Sequence, residues 1–544
     1  MRLRFFYVFI LFLTLLSCSS TDEELGSKTV FTYNESNGIS SLDPAFARNL
    51  ENMWAVNQLF DGLVMLNESL EIAPSIAQTW EIGADAKTYT FHLRPDVYFH
   101  SDEAFEVSKR PVNAEDIAFS FNRLLDPTLA SPGKWIFDAV DQSRSDNGFE
   151  VLNDSTLCIH LKSPFPAFLG LLSTQYAAIV PKEVVEQYGA DFRSHPIGTG
   201  PFKMAFWMED VALVFHKNEN YWEQDEAGVQ LPYLDAVKIE FVRDMSAEYL
   251  GLLQGKYDFM SGLHSAYKDE LLLSNGELRA SFENKIRLQK RPFIKTDYIG
   301  ILVDDSAAIL ENHPLRNPLV RRALNVGFDR NSMVRYLRNN SVYAAGHGFI
   351  PQGLPAYDET ADYGVTFDQE LALDLLREAG YPNGEGIPPI PLSTTSDYVD
   401  LCEFLQFQWG QLGIKIEVDV LASASHREKV SKSQALMFRK SWLADYPDAE
   451  NFLMLFNSSN FCPNGPNYTH YSNEAFDSLY TEASLSTLPE QRQQIYRRMD
   501  SLVMAESPVI PLFYDQVSHF VREEVKAFET NGVNMLDLRK TRKK

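Results

Sequence analysis

Apolar and polar residues alternate through 88–94, with Tyr89, Phe91 and Leu93 on one face, so a strand with a single buried side is predicted there. Elsewhere the period lengthens to that of a helix. Ile117, Phe121 and Leu124 fall on one side of a helix that Asn113 can cap, with Glu115 and Asp116 well placed in its first turn. Asp368 opens another helix carrying Leu371, Leu375 and Leu376, and Gly380 stops it. The most informative stretch is 390–421. A short apolar strand over 390–395 precedes a helix over 397–412, with Val399, Cys402, Leu405, Trp409 and Leu412 on one stripe, and 414–421 returns to strand. Strand, helix and strand of these lengths make a parallel crossover, so at least one sheet is partly parallel. A strand over 434–442, helices near 473–483 and 489–505, and a last strand over 509–514 complete an α/β pattern. It shows no internal repeat and no low-complexity linker.

The first eighteen residues form a separate object. Arg2 and Arg4 precede an apolar run, 5–16, that falls well short of the roughly 20 residues needed to span a bilayer. The run therefore reads as the core of a signal peptide, 1–17, and not as a transmembrane helix. Leu15-Leu16-Ser17-Cys18 resembles a bacterial lipobox. That resemblance implies a lipid on Cys18, a flexible acidic tether over 18–29, and a mature chain held on a membrane by its anchor alone.

Composition narrows the function more than the fold. At roughly 150 residues per domain, 544 residues make three to four domain-sized units. The net charge of −25 repels phosphate backbones, so nucleic acid is excluded as a partner. The basic residues 539–544 are too few to reverse this and read as a frayed end. There is no phosphate-binding GxxxxGK[ST] loop, no HExxH and no GxSxG. Gly198-Thr199-Gly200 is followed by Pro201 and Phe202, so it reads as a tight turn and not as a dinucleotide fingerprint. His92 and His100 flank Arg94-Pro95 with no third ligand nearby. Cys158, Cys402 and Cys462 lack CxxC spacing and read as packed thiols, with one disulfide left open. Neither a metal nor a cofactor is expected, and nothing supports an enzyme.

An ordered series of motifs over about 480 residues points to a family. It comprises Ser41-Leu42-Asp43-Pro44, Leu59-Phe60-Asp61-Gly62-Leu63, PSIAQTW at 74–80 and Thr90-Phe91-His92-Leu93-Arg94. Ala114-Glu115-Asp116-Ile117, Gly198-Thr199-Gly200-Pro201-Phe202, LVRRALNVGFDR at 319–330, WLADYPDAENF at 442–452 and NYTHYSNEAFD at 467–477 follow. Together they resemble the peptide/nickel-type extracellular solute-binding proteins that feed ABC importers, above all the oligopeptide- and dipeptide-binding members. The resemblance implies an α/β, type II two-lobed binding-protein fold with an extra subdomain in lobe one. On it, lobe one takes 30–58, 195–289 and a return segment 507–544, the subdomain 59–194, and lobe two 290–506. The chain crosses between lobes near 290–292 and 507–508. The protein would be monomeric, bind peptides in the interlobe cleft and meet permease subunits at the periplasmic face.

A buried peptide ammonium needs a fixed carboxylate. Asp445 follows the strand over 434–442, at a sheet end where α/β folds place ligands. By its local pattern alone it reads as a cap for the turn before Pro447, with Asp448 and Glu450 opening a helix. The family resemblance implies the other role, with Asp445 gripping the N-terminal amine. Trp442 and Tyr446 would wall the pair off from water. The resemblance also implies that Arg439 meets the peptide carboxylate and Trp135 lines the cleft from the subdomain. Other solutes on the same fold, a nickel chelate or an oligosaccharide, remain the alternative, with a secreted hydrolase behind them.

Overall fold

The computed structural model describes residues 29–304 and 306–544. The leader, Cys18 and nearly all of the tether lie outside the described residues. The chain opens on β1 (Val30–Asn34), a single helical turn at Pro44–Phe46 and α1 (Leu50–Leu59). A small antiparallel sheet follows, built from β2 (Ala77–Ile82), β3 (Thr88–Leu93), β4 (Phe149–Asn153) and β5 (Thr156–His160) in the order β2-β3-β5-β4. On β3 the residues expected to face inward, Tyr89, Phe91 and Leu93, are buried. Against this sheet packs α2 (Ala114–Leu125), which starts at a reciprocal cap. Asp116 N donates to Asn113 Oδ1 at 3.1 Å and Asn113 N donates to Asp116 Oδ2 at 2.9 Å.

The main sheet adds β6 (Phe202–Met208), β7 (Ala212–Lys217), β8 (Ala236–Glu240), β9 (Phe259–Ser261) and β10 (Ile286–Ile301). Past α3 (Gln369–Glu378), capped by Asp368 as expected, come β11 (Ile390–Thr395), α4 (Val399–Gly410), β12 (Ile416–Leu421), β13 (Met437–Leu443) and β14 (Val509–Arg522). Strand order is β12-β11-β13-β10-β14-β9-β1-β8-β7-β6, with Tyr343–Ala344 added on β14. β11 and β12 pair in parallel around α4, as the 390–421 pattern requires. The helices over 474–485 and 489–506 are present close to their expected bounds. No helix among the described residues is long and apolar enough to cross a membrane.

Both lobes share this one sheet because β10 and β14 are long enough to run through both. They pair antiparallel from Ile286–Arg522 to Gly300–Val509, and the register shifts between Pro292 and Thr296. Pro292 has no N–H to give to the ladder. The ladder is therefore interrupted at Pro292. Ile510, Leu512 and Phe513 pack with Ile299, Leu324 and Trp409 in the lobe-two core. Only the second half of β14, with Val521, reaches the lobe-one core beside Phe31 and Phe259. Antiparallel pairing sets Pro292 opposite Gln516. Leu59, Phe60, Ala178, Val184 and Phe192 pack in the core with Phe31 and Phe259, while Leu63, Phe91, Phe121, Leu172 and Ile179 pack in a separate core.

Two motifs gain a structural meaning. Asp43 caps the Pro44–Phe46 turn through Ala45 N and forms a bidentate pair with Arg123 of α2 at 2.6 and 2.9 Å, tying lobe one to the subdomain. Gly198 and Gly200 are not held by a positive φ. A Cβ on either would strike the backbone of Leu59 or the neighbouring Phe60, so the glycines permit a close backbone approach. Gly200 N then donates to Leu59 O at 3.0 Å, and Thr199 Oγ1 to Asp61 at 2.9 Å.

The basic tail is anchored, contrary to the sequence reading. Arg539 pairs with Asp537 and Glu223 at 3.0 Å, Lys543 with buried Asp258 at 2.9 Å, and Arg542–Lys543 pairs as a strand with Val525–Lys526. The three remaining cysteines are buried, unpaired thiols. His100 is buried against Gly200 O at 3.0 Å, and no group of His, Cys, Asp and Glu among the described residues could hold a metal.

Deleting 539–544 leaves Asp258, 2 % exposed at its side chain, without its cation. Stranding a buried partner costs about 3–5 kcal/mol. Denaturant unfolding of the truncated chain is expected to show that loss; an unchanged midpoint would mean the tail contributes nothing.

Candidate functional site

A cavity of about 750 Å³ opens where lobe one, the subdomain, lobe two and the C-terminal segment meet. Lobe one contributes the face of α1 through Met53 and Asn57, with Phe60 just after it and Arg48 just before it. The subdomain adds Trp135 and Tyr176, and lobe two adds Phe293, Ile294 and the run Leu443–Pro447. Residues 531–539 close one side. They are held against α1 by Trp54 Nε1, which donates to Asn534 O at 2.7 Å, and by Gln58 Nε2, which donates to Leu536 O at 2.8 Å.

Asp445 stands two residues beyond β13, facing the cavity. A single buried amide orients it. Asn451 Oδ1 accepts from Trp442 Nε1 at 2.9 Å and from Asp445 N at 3.2 Å, while Asn451 Nδ2 donates to Asp445 Oδ2 at 3.3 Å. Asn451 is 0 % exposed, so this arrangement is fixed from behind. Asp445 is open to cleft solvent, yet the walls around it push its carboxyl pKa up from the ordinary value, and the Asn451 amide draws it back only in part. Further along the same loop, Glu450 N donates to Asp448 Oδ1 at 2.9 Å. Among the described residues Asp445 has no ion-pair partner.

Tyr446 lines the same wall and joins the lobes. Its Cβ would lie 3.2 Å from a Cβ on Gly170, and its ring meets Phe165 edge-on at 6.1 Å, both in the subdomain. Its hydroxyl and that of Tyr480 donate to Glu450, whose carboxyl burial pushes up to about 7. Trp135 lies at the cavity with 37 % of its surface exposed, on the short helical turn Lys134–Phe137. Two residues before it, a Cβ on Gly133 would collide with the Tyr176 ring, so glycine lets Tyr176 pack there.

The structure thus brings Asp445, Tyr446 and Trp135 together and leaves two expected residues outside the lining. Trp442 acts through Asn451, and its indole is not part of the cavity wall. Arg439 is 7 % exposed on β13, ion-paired with Asp297 of β10 and stacked at 3.1 Å on the Tyr398 ring. With Asp297 fully buried beside it and Lys295 3.1 Å from that carboxylate, Arg439 is committed within lobe two. Sequence reasoning missed Asn451, Arg48 and the segment 531–539. Asn451 sits inside the WLADYPDAENF motif, where a buried side-chain amide six residues past Asp445 is the available signal. The others are joined to the site only by long-range packing.

Other charges in the lining are internally matched. Asp61 accepts from Thr199, Tyr221 and Trp222, and burial still raises its pKa. Asp537 and Arg539 neutralise each other.

If Asn451 orients Asp445, then Asn451→Ala should unfold at a lower denaturant midpoint, by about 1–3 kcal/mol, because a buried indole N–H and a backbone N–H lose their acceptor. Asn451→Asp keeps an acceptor but places a second carboxylate against Asp445, and is expected to raise the Asp445 pKa further, as read by NMR titration. An unmoved Asp445 titration in both variants would contradict the arrangement.

Comparisons with known proteins agree with the geometry. The model of bacterial extracellular solute-binding proteins, family 5 middle, matches residues 71–461. Heme-binding protein A of Haemophilus influenzae is 28 % identical over 514 residues, covering 91 % of this chain and 89 % of that protein. Among solved structures, a periplasmic murein tripeptide binding protein, MppA, in its unliganded open form superposes with a TM-score of 0.82 at 23 % identity, covering 95 % of this chain and 98 % of that one. DppA from Helicobacter pylori in complex with the peptide STSA gives 0.70 at 24 % identity, covering 96 % and 99 %. These likenesses place the chain among type II binding proteins, built to bind a solute and not to transform it. The chain belongs to the bacterial extracellular solute-binding proteins of family 5.

Proposed function

We propose that the protein captures peptides in the interlobe cavity, holds their N-terminal ammonium on Asp445 and delivers them to an ABC-type importer. The observation that carries this reading is Asp445 itself: a carboxylate fixed from behind by Asn451, aimed into the cavity and without a cation of its own. A ligand ammonium completes that pair. The likeness to a murein tripeptide binding protein and to a peptide-bound neighbour supports the ligand class. No histidine or cysteine is found among the residues that line the cavity, so its chemistry suits amines and amides better than the metal chelates considered as alternatives. The break in the β10–β14 ladder at Pro292 is a natural place for the lobes to flex around the solute. Tyr446, held in lobe two and packed on Gly170, supports the same motion as a contact across the cleft.

The chain would work outside the cytoplasm, as a monomer tethered by a lipid on Cys18, without a cofactor. Cys18→Ala is then expected to move from the membrane fraction to the soluble fraction. A variant that stays quantitatively with membranes contradicts the anchor.

Asp445→Ala is expected to lower peptide affinity by about 2–5 kcal/mol, because the ammonium is left in the cleft without its counter-charge. An N-acetylated peptide should bind wild type worse, yet lose little more in the variant, since both changes remove the same pair. Protonation competes with the ammonium for the carboxylate. The bound state therefore holds Asp445 at a lower pKa than the free state, binding releases a proton near that pKa, and affinity rises with pH there. Calorimetric titration of free and acetylated peptides against both proteins measures all of this; fully additive penalties would mean that Asp445 does not meet the amine.

A further inference from the structure

The geometry points to Cys462 as an activated thiol, a modification site at which hydrogen peroxide converts the side chain to a sulfenic acid, built with His470, Asp304 and Ser433 in lobe two. None of the four lines the interlobe cavity, so the site is separate from solute capture. They come from stretches far apart in the chain. Asp304 follows β10, Ser433 precedes β13, and Cys462 and His470 stand in the loop before the helix over 474–485.

The imidazole of His470 bridges an acid and a thiol. Its Nδ1 lies 3.0 Å from Asp304 Oδ2 and its Nε2 3.3 Å from Cys462 Sγ. Nucleophile, base and orienting carboxylate thus stand in a row. The carboxylate is itself aimed, because Ser306 N and Oγ donate to Asp304 Oδ1 at 2.8 and 2.6 Å and leave Oδ2 for the ring. Burial opposes the Asp304 charge, but Ser306 and His470 outweigh it and hold the carboxyl below its ordinary value. Nε2 also lies 3.1 Å from Cys462 O, so each ring nitrogen faces an oxygen with no proton to give. The ring is fully hydrogen-bonded when it carries both protons, and the thiol beside it is a source for the second. Ser433 Oγ, 3.2 Å from Sγ and 2.9 Å from Nε2, is placed to donate to the resulting thiolate. Asp304 and Cys462 take opposite nitrogens of one ring, so the cluster cannot close around a metal ion.

The surroundings fix this arrangement. Phe461 stacks on the imidazole at 4.6 Å and sets its plane. Ser433 and His470 are held at positive φ, 56° and 53°, a conformation rare outside glycine that neighbouring contacts must enforce. Lys440 and Tyr468 also face the sulfur. Burial, Arg439 and Arg427 push the Lys440 ammonium down to about 8 while Cys462 draws it up, so a cation lies within electrostatic reach of Sγ and favours a thiolate. Tyr468, under Lys440 Nζ at 4.1 Å, is raised by burial and then by Cys462, and stays neutral. Cys402 is the contrast: burial pushes its thiol up to about 11.

Cys462 is 4 % exposed, an opening suited to an oxidant close to water in size. The thiol proton passes to His470 Nε2. The thiolate sulfur then attacks one oxygen of the peroxide, an S–O bond forms and the O–O bond breaks. The departing hydroxide takes the proton back from Nε2 and leaves as water. Sulfur loses an electron pair and the peroxide gains it, so no further reactant is required.

The test treats the folded full chain with hydrogen peroxide, unfolds it in dimedone, which traps sulfenic acids, and locates the adduct by peptide mass spectrometry. The adduct is expected on Cys462 and not on Cys158 or Cys402. Followed across about pH 6–9, the oxidation rate should be nearly level in wild type, because the thiolate is already formed. In His470→Gln it should fall roughly ten-fold or more at neutral pH and climb with pH as an ordinary thiol does. Asp304→Asn alters a side chain that is 25 % exposed, and should show a several-fold loss with the same steeper profile, which answers the question should His470→Gln fail to fold. No adduct on Cys462, or one rate and pH profile shared by wild type and the variants, would overturn the assignment.

Discussion

Everything in this protein depends on the pairing of two unusually long strands, Ile286–Ile301 and Val509–Arg522. Each runs from one lobe into the other, so a single sheet passes through the whole molecule and the lobes are joined by backbone hydrogen bonds as well as by chain. The ladder is interrupted between Pro292 and Thr296, where proline has no N–H to contribute. Above and below that point separate cores form, one around Ile299 and Trp409, the other around Phe31 and Phe259. Rigid blocks joined at a weakened stretch of an otherwise continuous sheet give a cleft whose width can change without unfolding either wall.

The cavity between those walls is defined by how its charges are sorted. Burying an unmatched charge is costly, and the protein avoids it almost everywhere. Asp43 faces Arg123, Arg439 faces Asp297, Arg539 faces Asp537 and Glu223, and Lys543 faces Asp258. Asp445, open to the cleft, has no such partner among the described residues, and its neighbours hold it without supplying one. Asn451 spends both its amide groups on the Asp445 loop and the Trp442 indole, which holds the carboxylate in place without neutralising it. A charge kept in position and left unmatched is what a binding site for an ionic group requires.

How much of this could be read in the sequence follows from the range of the interactions. Local rules worked: the cap at Asn113, the cap at Asp368 and the parallel crossover at 390–421 rest on contacts within a few residues or on one helix stripe. The motif series located Asp445 and Tyr446, and the subdomain tryptophan, Trp135, does line the cavity. What failed was long-range. Nothing near Arg539 in sequence announces Glu223, more than 300 residues away, so the tail read as frayed when it is clamped. Arg439 looked available because Asp297 lies on a strand whose register no local pattern gives. That the antiparallel partner of Pro292 is Gln516 is likewise a fact of pairing and not of composition.

The central claim is that Asp445 is the receptor for a ligand ammonium, and a crystal structure of the protein with bound trialanine tests it most directly. The account predicts the peptide lying between the lobes with its terminal nitrogen about 2.7–2.9 Å from an Asp445 carboxylate oxygen, as charge-assisted pairs are, and Asn451 still holding that carboxylate from behind. A peptide bound with its amine against another residue, or in solvent, while Asp445 contacts only Asn451, would contradict it.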